Sequence, residues 1–478
     1  MAKFPLFSSS GPVFSSMFFF FFAAAVLVLL SASNFVASQP PLGSPEQEAV
    51  YRVLESVSPG VRWRSLFPDD LCSAAPHGVV CDVFEEGDGN ASASASGGGS
   101  GTSHITELNF GYVSDYSPNP PCAPKSTLDH SLLARFTRLR KLFFYQCFTQ
   151  TNVSFPDLSP LGPTLEEVVF IDNPALTGSL RGNIGHLKAL RRFVLTGSNV
   201  SGDIPAEFRD FTGIEQVTLS RNKLMGNIPA DFPAMKKLRV LDLSQNEFSG
   251  AVPLSIGNLT QLLKLDLSFN RFSGEIPGTL SSLKELEFLD LSYNGFAGSG
   301  FPSFVSEMPG LKEVYLSGNM LGGEIPPEIW EHMGGILGIG LSGTGLVGKI
   351  PVSMGVHLRN VNYLGLDNNR LEGTVPEEFG ALELVNELNL ENNNLSGKVP
   401  FSPEFATKVG EKLKLHGNPH LCVDEGLRSA QLAGGSLGTL KLCSKPPFIP
   451  QRVPLPNASP AIHASTVVKI LGALCLFF

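Results

Sequence analysis

The 478-residue chain lacks the short signatures by which enzyme chemistry is usually found: it has no HExxH, no protein-kinase motif set and no C-x-x-C pair. Its Gly-rich stretch, "EEGDGNASASASGGGSGTS" (85–103), is not followed by the Gly-Lys-Ser/Thr that a phosphate-cradling loop needs. A basic excess is missing too. The net charge is −9 and the pI about 5.6, which excludes the concentrated positive face of a nucleic-acid binder. Also absent is any apolar run reaching the ~20 residues of a bilayer-spanning helix. These absences point to a protein that is not an enzyme and holds no cofactor or metal.

What the chain does contain is a repeat. Aligning on the Asn that follows an L-x-L core gives Asn222, Asn246, Asn270, Asn294, Asn319, Asn369 and Asn393, spaced 24 or 25 residues apart once Thr344 fills its place. Ser198, Asn173 and Cys147 extend the frame upstream and Asn418 downstream, for about a dozen units. The 49 Gly and 36 Pro of the chain recur mostly at fixed positions of this unit, so they do not signal disorder.

Each unit reads L-x-x-L-x-L-x-x-N-x-L-x-G-x-I/V-P, as in "LLKLDLSFNRFSGEIP" (262–277). Leu265 and Leu267 stand two apart, so on a strand both face one side while Asp266 and Ser268 face the other. One such strand cannot bury its leucines alone; stacked neighbours bury them in a continuous core, each Leu worth roughly 1.5–3 kcal/mol. The recurrent Asn is expected to turn inward and satisfy backbone groups at the strand end. The predicted fold class is therefore an α/β repeat solenoid with one parallel strand per repeat on its concave face.

The ends of a solenoid need covering. "SPEQEAVYRVLESV" (44–57) predicts a helical lid, with Ser44 as N-cap, Pro45 at the first helical position, Gln47 completing a capping box, and Ala49, Val50, Val53, Leu54 and Val57 as its apolar stripe. The first 38 residues have the form of a secretory signal: Lys3, the apolar run "MFFFFFAAAVLVLL" (17–30) and the small residues "VAS" (36–38). A membrane helix is the alternative, for which a 14-residue run is short. Six cysteines in a secreted chain imply disulfides; among fifteen connectivities, the neighbour pairing Cys72/Cys81, Cys122/Cys147 and Cys422/Cys443 is the one proposed. Cys475 is left over in the tail. Secretion makes Asn90, Asn152, Asn199, Asn258 and Asn394 candidate glycan acceptors. The expected organisation is a signal at 1–38, an N-terminal cap at 39–104 containing the insertion 85–103, a solenoid at 105–420, a C-terminal cap at 421–445, a Pro-rich linker at 446–457 and a hydrophobic segment at 458–478.

The "LxxLxLSxNxLSGxIP" unit resembles the extracellular leucine-rich repeat of plant receptor-like kinases and receptor-like proteins. "EQEAVYRVLESV", "HGVVC" (77–81), "PCAP" around Cys122, "LRKLFFYQC" (139–147) and "KLKLHGNPHLCV" (412–423) resemble the kinase-less receptor-like group that contains Too Many Mouths and Piriformospora indica-insensitive protein 2. The resemblance runs from about residue 46 to 445. It implies a plasma-membrane protein with its repeats outside the cell, recognising a secreted peptide or a microbial cue as co-receptor to a receptor kinase with its own leucine-rich repeat ectodomain, in root–fungus interaction or defence. The alternative is a soluble wall protein like the polygalacturonase inhibitors.

Three sets of outward residues are candidates for binding a ligand or partner. Phe143 and Tyr145, with Val169 and Ile171 and then Val194 and Thr196 on the next strands, form an apolar cluster, open as an interface or covered by the N-terminal cap. Phe269, Tyr293 and Tyr315 form a second group near the ends of the central strands. Asp242, Asp266 and Asp290 repeat in one column, either a site for a basic peptide or cation or merely the usual wording of the repeat. Attachment to the membrane is expected from the tail "NASPAIHASTVVKILGALCLFF" (457–478), where small residues at Asn457, a polar spacer and an apolar end match a glycolipid-anchor signal; a short span or free secretion are the alternatives.

Overall fold

The computed structural model describes residues 40–85, 101–113, 119–230, 232–430 and 436–444. The expected signal, the core of the insertion with Asn90, the linker at 446–457, and the tail with Asn457 lie outside these residues.

Period-two leucines become strands that pair in parallel, repeat on repeat. Val240–Asp242, Lys264–Asp266 and Phe288–Asp290 lie side by side in exact register, Leu241 beside Leu265 and Leu265 beside Leu289. Among the described residues the result is a 14-stranded concave sheet, backed by flanking sheets of seven and five short strands built from the segment after each Asn. The leucines are sealed: Leu241, Leu243, Leu265 and Leu267 have no solvent exposure. In the N-terminal repeats phenylalanine takes over this role, and Phe110, Phe144 and Phe170 stack ring on ring at 5.1–5.2 Å. Leu139, Leu142 and Phe144 of "LRKLFFYQC" all point into this core, fully buried.

The recurrent asparagine closes each strand. Asn270 donates from Nδ2 to the carbonyls of Leu243 (3.0 Å), Leu267 (3.1 Å) and Ser268 (3.1 Å), and its Oδ1 accepts from the Phe248 amide (3.0 Å). Asn246 and Asn393 repeat the pattern. Thr344 supplies one such bond, from its hydroxyl to the Leu341 carbonyl at 2.9 Å. The ladder is weakest where serine occupies the slot: among the described residues, the buried side-chain polar atoms with no partner are Ser198 Oγ and Asn222 Oδ1.

Turning the asparagine inward forces the preceding residue into the left-handed region. Its φ is positive in every repeat from Gln146 (50°) to Gly417 (73°). Glycine and asparagine, which tolerate that conformation, hold it at Gly318, Gly343, Asn368 and Asn392.

Both ends are closed covalently. The structure pairs Cys72 with Cys81, Cys122 with Cys147 and Cys422 with Cys443. The helix Ser44–Val57 buries Ala49, Val50, Val53, Leu54 and Val57. Its start differs from the capping-box expectation. Gly43 is the N-cap, Ser44 is already helical, and no side chain caps the end. Glu46, not Gln47, makes the structural contact: its buried carboxylate accepts from the Ile105 amide at 2.9 Å and meets His104 Nδ1 at 2.9 Å, fastening the helix to the strand beneath. That strand, Gly101–Phe110, runs antiparallel to Val79–Glu85, with Glu85 opposite Gly101. The insertion is therefore shorter than 85–103, because both of its expected edges are strand. A pattern of Gly and Ser concealed this, since the hairpin's register is set by the partner strand and not by propensity.

Candidate interaction surface

The residues between the leucines form columns across the concave sheet. Asp242, Asp266 and Asp290 pair in register, one per strand. Lys264 neutralises two of them, its Nζ lying 3.0 Å from Asp242 and 3.4 Å from Asp266. Burial works to lower the Lys264 pKa, but the two carboxylates outweigh it and hold the ammonium above its ordinary value. Asp242 and Asp266 also accept from the Ser244 and Ser268 hydroxyls, each at 2.7 Å. These two aspartates are thus internally satisfied.

Asp290 differs. Burial, with Asp266 adding to it, raises its pKa despite the hydrogen bonds from Ser292. A folded-state pKa above the unfolded one means that the folded chain binds the proton more tightly. Stability from this group therefore falls as pH rises through that window, and at neutral pH the charge is a net cost. Asp290→Asn is expected to raise the thermal midpoint at pH 7, and the gain is expected to disappear as the pH is lowered through the carboxylate range. Melting curves of both proteins across that range check it.

The N-terminal apolar cluster is smaller than its sequence suggests. Phe143, Tyr145 and Ile171 are half-buried, but Val169 is only 2% exposed and Val194 only 4%. Val169 is therefore not available to a partner. Its strand, Glu167–Ile171, is flanked in register by Phe143 on one side and Val194 on the other, and between such neighbours a small side chain is lost from the surface.

The second aromatic group divides in two. Phe269 and Tyr293 sit at the left-handed position before Asn270 and Asn294, with φ of 53° and 55°, where bulky residues are uncommon. Both are about half exposed (48% and 52%), and their rings stack at 4.4 Å between centroids and 20° between planes. The Tyr293 ring lies over Gly318, where a Cβ would come within 2.7 Å of it. Tyr315 is not part of this stack. It belongs to the concave face proper, tilted against Phe288 at 5.8 Å and Tyr363 at 6.2 Å. Tyr315 lies within its strand, whereas Phe269 and Tyr293 lie three residues past theirs.

Phe288, Tyr363 and the strand Gly338–Gly340 were missed by sequence reasoning. The visible signal was "GIG" where other repeats carry side chains. His416 and His420 also stand at a metal-ligand spacing, but the His416 ring is engaged with Glu391, and among the described residues no group of three metal ligands forms. Of the candidate glycan acceptors, Asn152, Asn258 and Asn394 are exposed and Asn199 half-exposed; all four lie off the concave sheet.

Leucine rich repeat family profiles match residues 236–296, 310–332 and 360–382. Receptor like protein 29 of Arabidopsis thaliana is 32% identical over 163 residues, covering 34% of this chain and 30% of its own. Piriformospora indica-insensitive protein 2 of the same plant is 33% identical over 169 residues, 34% of this chain and 35% of its own. Among solved structures, the leucine-rich repeat ectodomain of the Arabidopsis thaliana membrane receptor kinase GASSHO1/SCHENGEN3, in complex with Casparian strip integrity factor 2, is 26% identical with a TM-score of 0.54, over 67% of this chain and 39% of that one. The chain thus spans about a third of the length of the curated relatives it matches. No helix among the described residues is long and apolar enough to cross a membrane. With its inward asparagine ladder and disulfide-closed ends, the chain is a leucine-rich repeat solenoid similar to plant leucine-rich repeat receptor-like proteins.

Proposed function

We propose that this protein is a kinase-less cell-surface receptor that recognises a secreted peptide or microbial cue together with a receptor kinase bearing a leucine-rich repeat ectodomain. It is held at the outer face of the plasma membrane by a glycolipid attached near Asn457, and it serves in root–fungus interaction or defence. The observation that carries the reading is the Phe269–Tyr293 stack. Two large aromatic side chains are exposed, mutually stacked and placed on left-handed backbone that the other repeats give to Gly or to the polar residues Asn, Asp, Gln and Arg. Strained, solvent-facing aromatic residues of this kind are an interface device, since they add nothing to the core. The placement of the acceptor asparagines agrees, because glycans there leave the concave face open. The solved ectodomain of the kinase named above, in complex with its factor, shows the same fold holding a ligand.

The test is affinity capture of the tagged full-length chain from plant membranes, with phospholipase C treatment of intact cells in parallel. Recovery of a receptor kinase, and release of the chain by the lipase, are the expected results. A chain found free in apoplastic fluid, without a kinase and inhibiting polygalacturonase, would overturn the proposal in favour of the wall-inhibitor alternative.

A further inference from the structure

The concave face between Phe288 and Glu391 carries an arrangement that the repeat does not require. Strand Gly338–Gly340 presents bare backbone at both outward positions, and Gly365 does the same on the next strand. The glycines are there because rings lie on them. A Cβ at Gly338 would come within 2.7 Å of the Tyr315 hydroxyl, one at Gly340 within 2.8 Å of Tyr315 Cδ1, and one at Gly365 within 2.5 Å of the Tyr363 hydroxyl. Tyr315 and Tyr363 thus approach each other across the glycine strand and, with Phe288, make a half-exposed aromatic floor. Burial, with the Glu313 hydrogen bond adding to it for Tyr315, raises both hydroxyl pKa values, so the floor is uncharged.

The unpaired charge around the floor is of one sign, the Lys264 ammonium that lies 5.2 Å over the Phe288 ring being already paired. Lys264 is committed to Asp242 and Asp266, Lys414 to Glu387 at 2.7 Å, and His416 to Glu391. Glu313 accepts from the Tyr315 hydroxyl at 2.9 Å, and Asp367 accepts from Ser342 and Asn368, each at 2.5 Å. Neither these two carboxylates nor Asp290 has a lysine or arginine within ion-pair distance among the described residues. An aromatic surface ringed by unneutralised carboxylates complements a cation that is planar and weakly hydrated, and it repels nucleic acids, acidic lipids and acidic peptides.

We infer that this floor is a docking subsite for a basic peptide segment, with an arginine guanidinium lying on Tyr315 and Tyr363 and facing Asp290, Glu313 and Asp367. The inference rests on the reading of the protein as a peptide-recognising receptor and names the class of peptide. Outward residues of an extended peptide recur about every 6.6 Å, so a ligand crossing the floor can place two alternate side chains among these groups.

The probe is a blocked Gly-Arg-Ser-Arg-Gly peptide, compared with its citrulline counterpart, which keeps the shape and loses the charge. Titration into the purified chain at low salt is expected to show the arginine peptide binding about tenfold more tightly. Tyr315→Ala with Tyr363→Ala is expected to cut the difference to about threefold, the share left to the carboxylates, and the Tyr→Phe pair to retain it in full, since the ring faces and not the hydroxyls carry the contact. Glu313→Gln, a surface change that leaves the rings in place, is expected to weaken the arginine peptide about threefold without affecting the citrulline one. Equal binding of the two peptides, or a preference undiminished by loss of both rings, overturns the inference. These titrations use no kinase, so their failure leaves the receptor reading intact, and failed capture of a kinase leaves the basic-ligand subsite intact.

Discussion

Asn270→Ala is expected to destabilise the protein by about 3–5 kcal/mol. The substitution removes one side chain but deprives three backbone groups of a partner: the carbonyls of Leu243 and Leu267 lose this donor and the Phe248 amide loses its acceptor, while the Ser268 carbonyl keeps the Gln245 amide. Asn270 is buried, so water cannot simply replace it. An unpaired buried polar group costs about 1–3 kcal/mol, and partial relaxation keeps the total below the full sum. The damage should also spread. The Leu243 and Phe248 groups belong to the preceding repeat, so the bonds being lost are those that hold one repeat to the next, on which a solenoid's stability depends. Asn270→Asp separates the contributions, because it keeps the acceptor and loses the three donated bonds; it should fall close to the alanine variant. Urea unfolding of the three proteins measures both. A loss under 1 kcal/mol for Asn270→Ala would mean that the asparagine ladder is not what joins the repeats.

The second large effect has opposite consequences for stability and for binding. Phe269→Asn with Tyr293→Asn is expected to weaken partner capture by about 1,000-fold, since each exposed aromatic anchor is worth about 2 kcal/mol at an interface and about 1.4 kcal/mol is tenfold. Folding stability should change by less than about 1 kcal/mol, because two terms offset one another. Loss of the ring stack costs about 0.5–1.5 kcal/mol, while asparagine relieves the left-handed backbone by a similar amount. Asn368 and Asn392 already occupy the same position in later repeats, so the substitution copies a solution this chain uses. Capture from membranes and a melting curve, run on one preparation, read the two quantities. A variant that melts far lower would make the stack a structural element, and one that binds normally would move the interface elsewhere.

The legibility of this protein follows from its geometry. The solenoid was legible because each repeat is a short-range object: leucines two apart, an asparagine at the strand's end and a 24- or 25-residue period are all local facts that stacking merely multiplies. The burial of Leu142 and Phe144 and the inward turn of Asn246 and Asn270 needed nothing more. The helix start was misjudged because Glu46 found its partner on a strand almost 60 residues away, a contact that capping rules do not include.

The binding surface was less legible, because it depends on which neighbours stand beside a residue as well as on which way it points. The alternation rule placed Val169 and Asp266 outward, and in both cases lateral neighbours closed over them. Their place near the strand ends grouped Phe269, Tyr293 and Tyr315, although two of these lie on the left-handed turn and the third on the strand. The glycines of "GIG" looked like missing side chains, yet they are the space into which Tyr315 lies. Sequence alone determined the repeat, its inward face and the closure of its ends, because these obey periods carried within a single unit. Only the tertiary structure decided which outward groups remain free, since lateral packing is set by residues a full repeat away, where no local pattern reaches.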